Sequence, residues 1–405
     1  MKVLILGVGA VGSIIADVLS KQDEFEEVIV ADIKKEKAQK VADRIGSPKV
    51  RAVSMNADNV EEMKVGMKDV DLVINAVLPR FFLKIMQAAL ESGTHYMDMA
   101  TDLGVSSHEK PGDKITKVPI DLQMEQDQKW KDAGLSAMLS WGNDPGATNV
   151  YARYAANGMD TVEQIKIRDG DRANIDGFDG FVSLWSPDTL IEEVALMNAL
   201  VWTNGRFERV ESMSKSEEFE FPEPIGKMKV WAVDHEEQET LGKTIDKGCK
   251  ECNFMIALDD DTINVLKVLR KIGMVRSEPV KIKGVDVYPR DVVTALMPSP
   301  TDPKIQKNAK GTACIGTEVI GKKNGKRISH FIYQMSDYED IYNRFGVTVT
   351  AWQTAIPPCV AAVMLARGEI SRRGAFTPEM LDPEPILKKF NEFGFTWNER
   401  IKELN

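Results

Sequence analysis

The first dozen residues constrain this chain more than any other stretch. Met1-Lys2-Val3-Leu4-Ile5-Leu6 reads as a buried strand and runs without a spacer into Gly7-Val8-Gly9-Ala10-Val11-Gly12, after which a helical pattern extends to Leu19. A G-x-G-x-x-G between a strand and a helix suits a dinucleotide. The first glycine makes the tight turn, the second lets backbone approach a pyrophosphate, and the third lets helix pack on strand. The helix start at Ala10 and Val11 then offers free N–H groups and a partial positive charge. Asp32, with Ile33 beside it, ends the second apolar run twenty residues beyond Gly12. A carboxylate there accepts hydrogen bonds from ribose hydroxyls, which favours NAD over NADP. Lys34 and Lys35 follow, and a basic pair also accommodates a phosphate, so NADP stays open. Asn75-Ala76-Val77-Leu78-Pro79 ends the fourth apolar run, where such domains meet the nicotinamide half.

Strand and helix patterns take turns through the first hundred residues. Strands are expected at Val3 to Leu6, Val28 to Ala31, Val50 to Met55, Leu72 to Val77 and His95 to Met97. Helices are expected at Val11 to Leu19, Glu36 to Ile45, Val60 to Met67 and Phe81 to Ser92. Alternation of this kind implies an α/β fold, a doubly wound parallel Rossmann sheet. From about Thr161 the texture becomes β-rich, with runs such as Gln164 to Arg168, Glu251 to Ile256, Gly311 to Gly321 and Lys326 to Met335 that look antiparallel. Asn324-Gly325 between two of them is a two-residue hairpin signal. The expected organisation is a Rossmann domain over 1–145, completed by 346–405, with an inserted α+β domain over 146–345 on a mainly antiparallel sheet. In the last segment, Pro357-Pro358 fits a helix start better than a helix middle. Pro385 to Asn405 has helical spacing with Trp397 as an anchor.

A formal net charge of −10 and a pI near 5.2 argue against a nucleic-acid or anionic-membrane partner. No run of about 18 apolar residues is evident, and the start of the chain carries no signal-peptide architecture, so a cytoplasmic location is expected. Four cysteines are too few for a disulfide scaffold in 405 residues. Cys249-x-x-Cys252 lacks a second ligand pair, and the four histidines show no His-x-x-x-His spacing, so no metal site is expected. His235, within Asp234-His235-Glu236-Glu237, reads as a cleft-facing hydrogen-bonding residue or as a structural helix-start residue.

Trp141-Gly142-Asn143-Asp144-Pro145-Gly146 follows an apolar run and precedes a helical pattern, and such strand-to-helix turns hold substrates in open α/β folds. Asp144, held extended before proline, either projects its carboxylate into a cleft or caps the following helix; the pattern alone leaves both open. Substrate carboxylates call for arginine forks, and Arg80 and Arg168 are the best placed. Asp169, next to Arg168, offers an acidic wall for an amine.

Taken in order, Gly7 to Gly12, Asn75 to Pro79, Gly93-Thr94-His95-Tyr96-Met97-Asp98, the Asn143-Asp144-Pro145-Gly146 turn and Asp234-His235-Glu236-Glu237 make the chain resemble the saccharopine dehydrogenase (glutamate-forming) family. That family includes saccharopine reductase, carboxynorspermidine dehydrogenase and lysine 6-dehydrogenase. The resemblance implies a homodimer and NAD(P)-dependent hydride transfer at a carbon bonded to an amine nitrogen of a lysine-derived or polyamine substrate. It also places Asp144 in the active site. Because an amine must lose a proton before its carbon gives up hydride, Asp144 is the first candidate for that proton transfer and Asp98 or Asp102 the second. Asn143 is a departure, since members more often carry an apolar or aromatic residue there. A protein that binds NAD without turnover, as a sensor or scaffold, is the reading from another class.

Overall fold

The computed structural model describes residues 1–101, 109–177, 182–300 and 302–404. The chain divides into two compact units. The first comprises Met1–Ser106, Lys117–Tyr154 and Ala351–Trp397; the second comprises Ser107–Thr116, Ala155–Thr350 and Asn398–Asn405.

The first unit is built on a seven-stranded sheet. Its strands include β1 (Lys2–Leu6), β2 (Glu27–Asp32), β3 (Val50–Ser54), β4 (Leu72–Asn75), β5 (His95–Met97) and β6 (Ser136–Met138). With the strand Gly374–Phe376 at one edge, the order is Gly374–Phe376, β6, β5, β4, β1, β2, β3, and every pairing is parallel. Both faces of such a sheet are covered, which is why β1 and β4 are almost wholly apolar and buried. Helices α1 (Ala10–Ser20), α2 (Lys35–Ile45), α3 (Val60–Met67) and α4 (Phe82–Ser92) make the crossovers. Two of them stop on a left-handed glycine, Gly46 after α2 and Gly93 after α4, which frees the chain to turn back into a strand.

Two expectations for the C-terminal region are corrected. Val349–Ala366 is one helix with Pro357 and Pro358 inside it. Each proline removes an N–H and crowds the preceding turn, yet an 18-residue window of this helix is 83% buried inside the protein, so packing outweighs the lost bonds. This helix is also an apolar run long enough to span a bilayer, which the sequence reading missed; its burial is that of a core helix. Beyond the helix Pro383–Glu392, residues Trp397–Glu403 form a strand instead of continuing as helix.

The second unit carries a nine-stranded sheet whose main path runs Ser216–Glu220, Lys227–Ala232, Glu251–Ala257, Thr161–Ile175, Ala309–Lys323, Lys326–Asp337, Trp397–Glu403. Ala309–Lys323 and Lys326–Asp337 form a long antiparallel hairpin whose tip residues Asn324 and Gly325 have φ of +52° and +78°, as a two-residue turn requires. Glu251–Ala257 lies parallel to Thr161–Ile175, so the sheet is mixed.

Inside this unit, buried Tyr338 donates its hydroxyl hydrogen bond to the carboxylate of Asp171. Burial pushes the Asp171 carboxyl up to about 6 from its usual 3.8, against the hydrogen bonds from Tyr338 and the Ala173 backbone. A raised folded-state value means that the fold prefers the neutral acid. Stability is therefore full below pH 4 and falls as pH rises from about 4 to about 6, by about 3 kcal/mol at most. Asp171→Asn keeps an acceptor for Tyr338 without the charge. It is expected to raise the urea midpoint at pH 8 and to flatten the difference in midpoint between pH 4 and pH 7; a variant that tracks the wild type across that range contradicts the assignment.

Candidate active site

Because every pairing in the first sheet is parallel, the residues that follow its strands share one carboxyl edge. Gly7 follows β1, Asp32 closes β2, Asn75 closes β4, Asp98 follows β5, and the Ser140–Gly146 turn follows β6. Open α/β sheets bind their ligands outside this edge.

The three loop glycines are glycine for different reasons. Gly7 has φ +96°, and a Cβ there would lie 2.6 Å from the Ala76 carbonyl oxygen and 2.7 Å from a Val77 methyl. A Cβ on Gly12 would lie 1.9 Å from the Gly7 carbonyl oxygen, so the helix could not seat on the strand. A Cβ on Gly9 would meet nothing within 4 Å. Protein packing therefore explains Gly7 and Gly12, while Gly9 borders open space. Gly9 is also the N-cap of α1; it supplies no side-chain cap, and the first turn of α1 holds no acidic residue. The amides at Ala10 and Val11 thus open a helix whose positive end is not neutralised by the helix itself, a fit for a dinucleotide diphosphate.

Asp32 Oδ1 accepts from the Lys34 N–H at 3.1 Å, and Oδ2 lies 3.5 Å from Lys37 Nζ. Its neighbour Ile33 is 64% exposed. The carboxylate is thus held at the strand end among Lys34, Lys35 and Lys37, where hydroxyls and a phosphate both have partners. Asn75 is buried: Nδ2 donates to the Tyr96 hydroxyl at 2.9 Å and Oδ1 accepts the Val77 N–H at 3.1 Å. Its side chain shapes the turn, in which Ala76, Val77 and Pro79 are half-buried. Arg80 is exposed and lies over the Phe81 ring, 4.9 Å from its centroid.

The Asp144 turn hangs on Asp98. This carboxylate is completely buried, accepting from the Ser140 N–H at 2.6 Å and from Gln123 Nε2 at 2.7 Å, while its carbonyl accepts from the Trp141 N–H at 2.8 Å. Ser140 is held at φ +59°. These contacts make Asp98 a strut of the turn, which sets it apart from the second candidate for proton transfer named from the sequence. Asp98→Ala would leave buried donors without an acceptor and is expected to cost about 3 kcal/mol, with Asp98→Asn milder; a thermal melt unchanged in Asp98→Ala would remove the strut. The amides from Gly146 to Val150 take acceptors from the Asn149 side chain and from the carbonyls of Gly142, Asn143 and Gly146. The helix Ala147–Asn157 is thus started by those groups, and Asp144 stands half-buried beside them. Asn143 is buried with neither side-chain atom hydrogen-bonded among the described residues. Asp102 lies outside the described residues.

In the second unit, Arg168 is fully buried and all three of its nitrogens already donate: Nε and Nη2 to Glu217 at 2.9 and 2.8 Å, and Nη1 to Asn253 Oδ1 at 2.8 Å. A substrate carboxylate would have to displace Glu217, so its contacts make Arg168 a brace of the sheet. Asp169, next along the strand, is half-buried. His235 donates or accepts through Nδ1 with Glu237 Oε2 at 2.6 Å and stacks on Phe254 at 3.8 Å. Burial opposes its charge, but Glu237 and Glu236 outweigh it and hold the imidazole protonated well above the usual value. Asp234 is taken up by Arg209 Nη1 at 2.5 Å and the Leu200 N–H at 2.9 Å. Sequence spacing did not reveal that Glu193, 42 residues before His235, joins this cluster. Cys249 and Cys252 are free and buried, and burial pushes the Cys249 thiol up to about 11, so neither suits redox exchange.

Two family models match the chain: "Saccharopine dehydrogenase NADP binding domain" over residues 3–138 and "Saccharopine dehydrogenase C-terminal domain" over residues 142–395. The carboxyaminopropylagmatine dehydrogenase of Synechocystis sp. is 30% identical over 99% of this chain and 98% of its own length. The carboxynorspermidine synthase of Vibrio cholerae serotype O1 is 31% identical over 98% of this chain and 96% of its own. Among solved structures, the apo saccharopine dehydrogenase (L-Glu forming) of Saccharomyces cerevisiae has the same fold, with a TM-score of 0.72 at 17% identity over 99% of both chains. With both domain models matched in order along the chain, this protein belongs to the saccharopine dehydrogenase family and is an NAD(P)-dependent oxidoreductase of that type.

Proposed function

We propose that the chain transfers hydride at a carbon–nitrogen bond of a carboxylated polyamine, with Asp144 as the group that exchanges the amine proton. The observation that carries this reading is the shared edge: the Gly7–Gly12 loop and the Asp144 turn both end strands of one parallel sheet on the side where such sheets bind ligands. A nicotinamide held there would supply hydride exchange with the carbon attached to the amine nitrogen. The residues of the chain do the rest. Gly9 and the start of α1 would hold the diphosphate, and Asp32 would accept hydrogen bonds from the ribose hydroxyls, which supports a preference for NAD(H). In the oxidative direction the substrate nitrogen must be neutral before its carbon releases hydride, so a carboxylate has to take a proton from the ammonium. In the reductive direction the same group returns that proton to the nitrogen. Its position on the turn that follows β6 supports Asp144 in this role, and the oxygens of Asp98 are committed inside the fold.

A polyamine is favoured over saccharopine by the arginines. Substrates rich in carboxylates need free guanidinium forks, and Arg168 is used up by Glu217 and Asn253, which leaves Arg80 of the two candidates. The two relatives described above are named for carboxylated polyamines as well. Steady-state turnover of carboxynorspermidine, carboxyaminopropylagmatine, saccharopine and lysine with either nicotinamide tests this. The proposal expects kcat/KM at least tenfold higher for a polyamine, and a preference for saccharopine or lysine would overturn the substrate assignment. The homodimer implied by the resemblance is supported by exposed apolar residues on the second unit, Val268, Ile272 and Leu296 among them; a monomer at all concentrations in sedimentation would remove it.

A further inference from the structure

Among the described residues, one group of His, Cys, Asp and Glu side chains converges closely enough to hold a metal ion. Glu193, His235 and Glu236 each offer one donor atom, and all three atoms lie within 4.8 Å of one another. We propose that these three residues bind a divalent first-row metal ion, Zn²⁺ or Mn²⁺ in chemistry, that ties the helical turn Ile191–Leu196 to the chain leaving the strand Lys227–Ala232.

The donor set comes first. One imidazole nitrogen with two carboxylate oxygens is a combination that zinc and its neighbours accept, with bonds near 2.0–2.2 Å and remaining positions filled by water. Donors so bonded sit roughly 3–4 Å apart, so a modest closure brings these three onto one ion. Three ligands are too few for the six to eight oxygens that calcium takes.

The setting of His235 is a separate observation. Its Nδ1 is 2.6 Å from Oε2 of Glu237, a carboxylate with no exposure to solvent, and its ring lies flat on Phe254 with 10° between the planes. The same Nδ1 lies 3.3 Å from Oε2 of Glu236, so two carboxylates face one ring nitrogen, and an ion bound by this group would displace the proton they share with the imidazole. Glu237 is not one of the three converging donors, although it faces the same ring nitrogen as Glu236. Asp234 is likewise committed elsewhere, to Arg209 and the Leu200 backbone. The side chains of His235 and Glu236 are 10% and 18% exposed, so the group is open to solution but largely shielded. Because the ligands lie 42 residues apart, the ion would act as a crosslink and hold the fold of this unit. It takes part in no step of the hydride transfer, and the inference stands apart from the proposed function.

The test uses the full chain, stripped with a chelator and titrated with Zn²⁺ and with Mn²⁺ by calorimetry and by thermal melting. The expected result is one equivalent of saturable binding with a rise in melting temperature. Glu193→Gln and Glu236→Gln, which preserve size and lose the charge, should each weaken binding tenfold or more. Circular dichroism of both metal-free variants should match the wild type. The proposal is overturned if the folded wild type takes up neither ion, or if both variants bind as the wild type does. Saturable binding of 1,3-diaminopropane in place of either metal would also overturn it and make the cluster an alkylammonium site.

Discussion

Gly9→Asp is expected to weaken binding of NADH and NADPH by at least about 100-fold while leaving the melting temperature nearly unchanged. No protein atom lies within 4 Å of a Cβ at Gly9, so the fold has room for the side chain. The new carboxylate would stand at the helix start, where the diphosphate needs both the space and the positive potential, and a loss of about 3 kcal/mol corresponds to that factor. Gly12→Ala makes the contrast. Its Cβ would sit 1.9 Å from the Gly7 carbonyl oxygen, so that variant should fail by loss of folded protein. Fluorescence titration with the reduced cofactor, run beside a thermal melt, separates the two. Wild-type affinity in a folded Gly9→Asp protein would mean that the phosphates do not approach this loop.

Asp144→Asn is expected to lower kcat by about 10²–10⁴-fold with little change in cofactor affinity, because the amide retains shape and hydrogen bonding but cannot take a proton. Asp144→Glu should recover part of the rate, since the carboxylate returns at a different reach. A thermal melt run beside the kinetics separates loss of rate from loss of fold, since Asp144 stands next to the start of the helix Ala147–Asn157. Full activity in that variant would send the search for the proton-transfer group elsewhere in the fold.

The first unit was the more legible in sequence. Strands such as Val3 to Leu6 and Leu72 to Asn75 are short, apolar and buried on both faces, and the helices between them carry one apolar stripe, so local pattern and tertiary role agree. The cofactor loop was legible because its glycines stand in one short stretch, Gly7 at the left-handed turn and Gly12 packed on the Gly7 carbonyl five residues before it. The failures came where distant contacts decide. Pro357 and Pro358 sit inside a helix because the surrounding core holds it, which no local propensity records. Trp397–Glu403 has helical spacing yet becomes an edge strand because the long hairpin offers it an open partner. Arg168 and Asp98 looked like site residues because buried and catalytic charges share the same residue types. Only their partners, Glu217 with Asn253 and Ser140 with Gln123, tell them apart. Glu193 meets His235 only in three dimensions.

The most direct test of the central claim is the absorbance of the reduced nicotinamide when the purified protein is mixed with NAD or NADP and a carboxylated polyamine, carboxynorspermidine or carboxyaminopropylagmatine. The account predicts a steady rise proportional to enzyme, absent in Gly9→Asp and strongly slowed in Asp144→Asn. Saturable cofactor binding with no absorbance change for any amine, in either direction, would contradict it and leave a dinucleotide-binding protein without turnover.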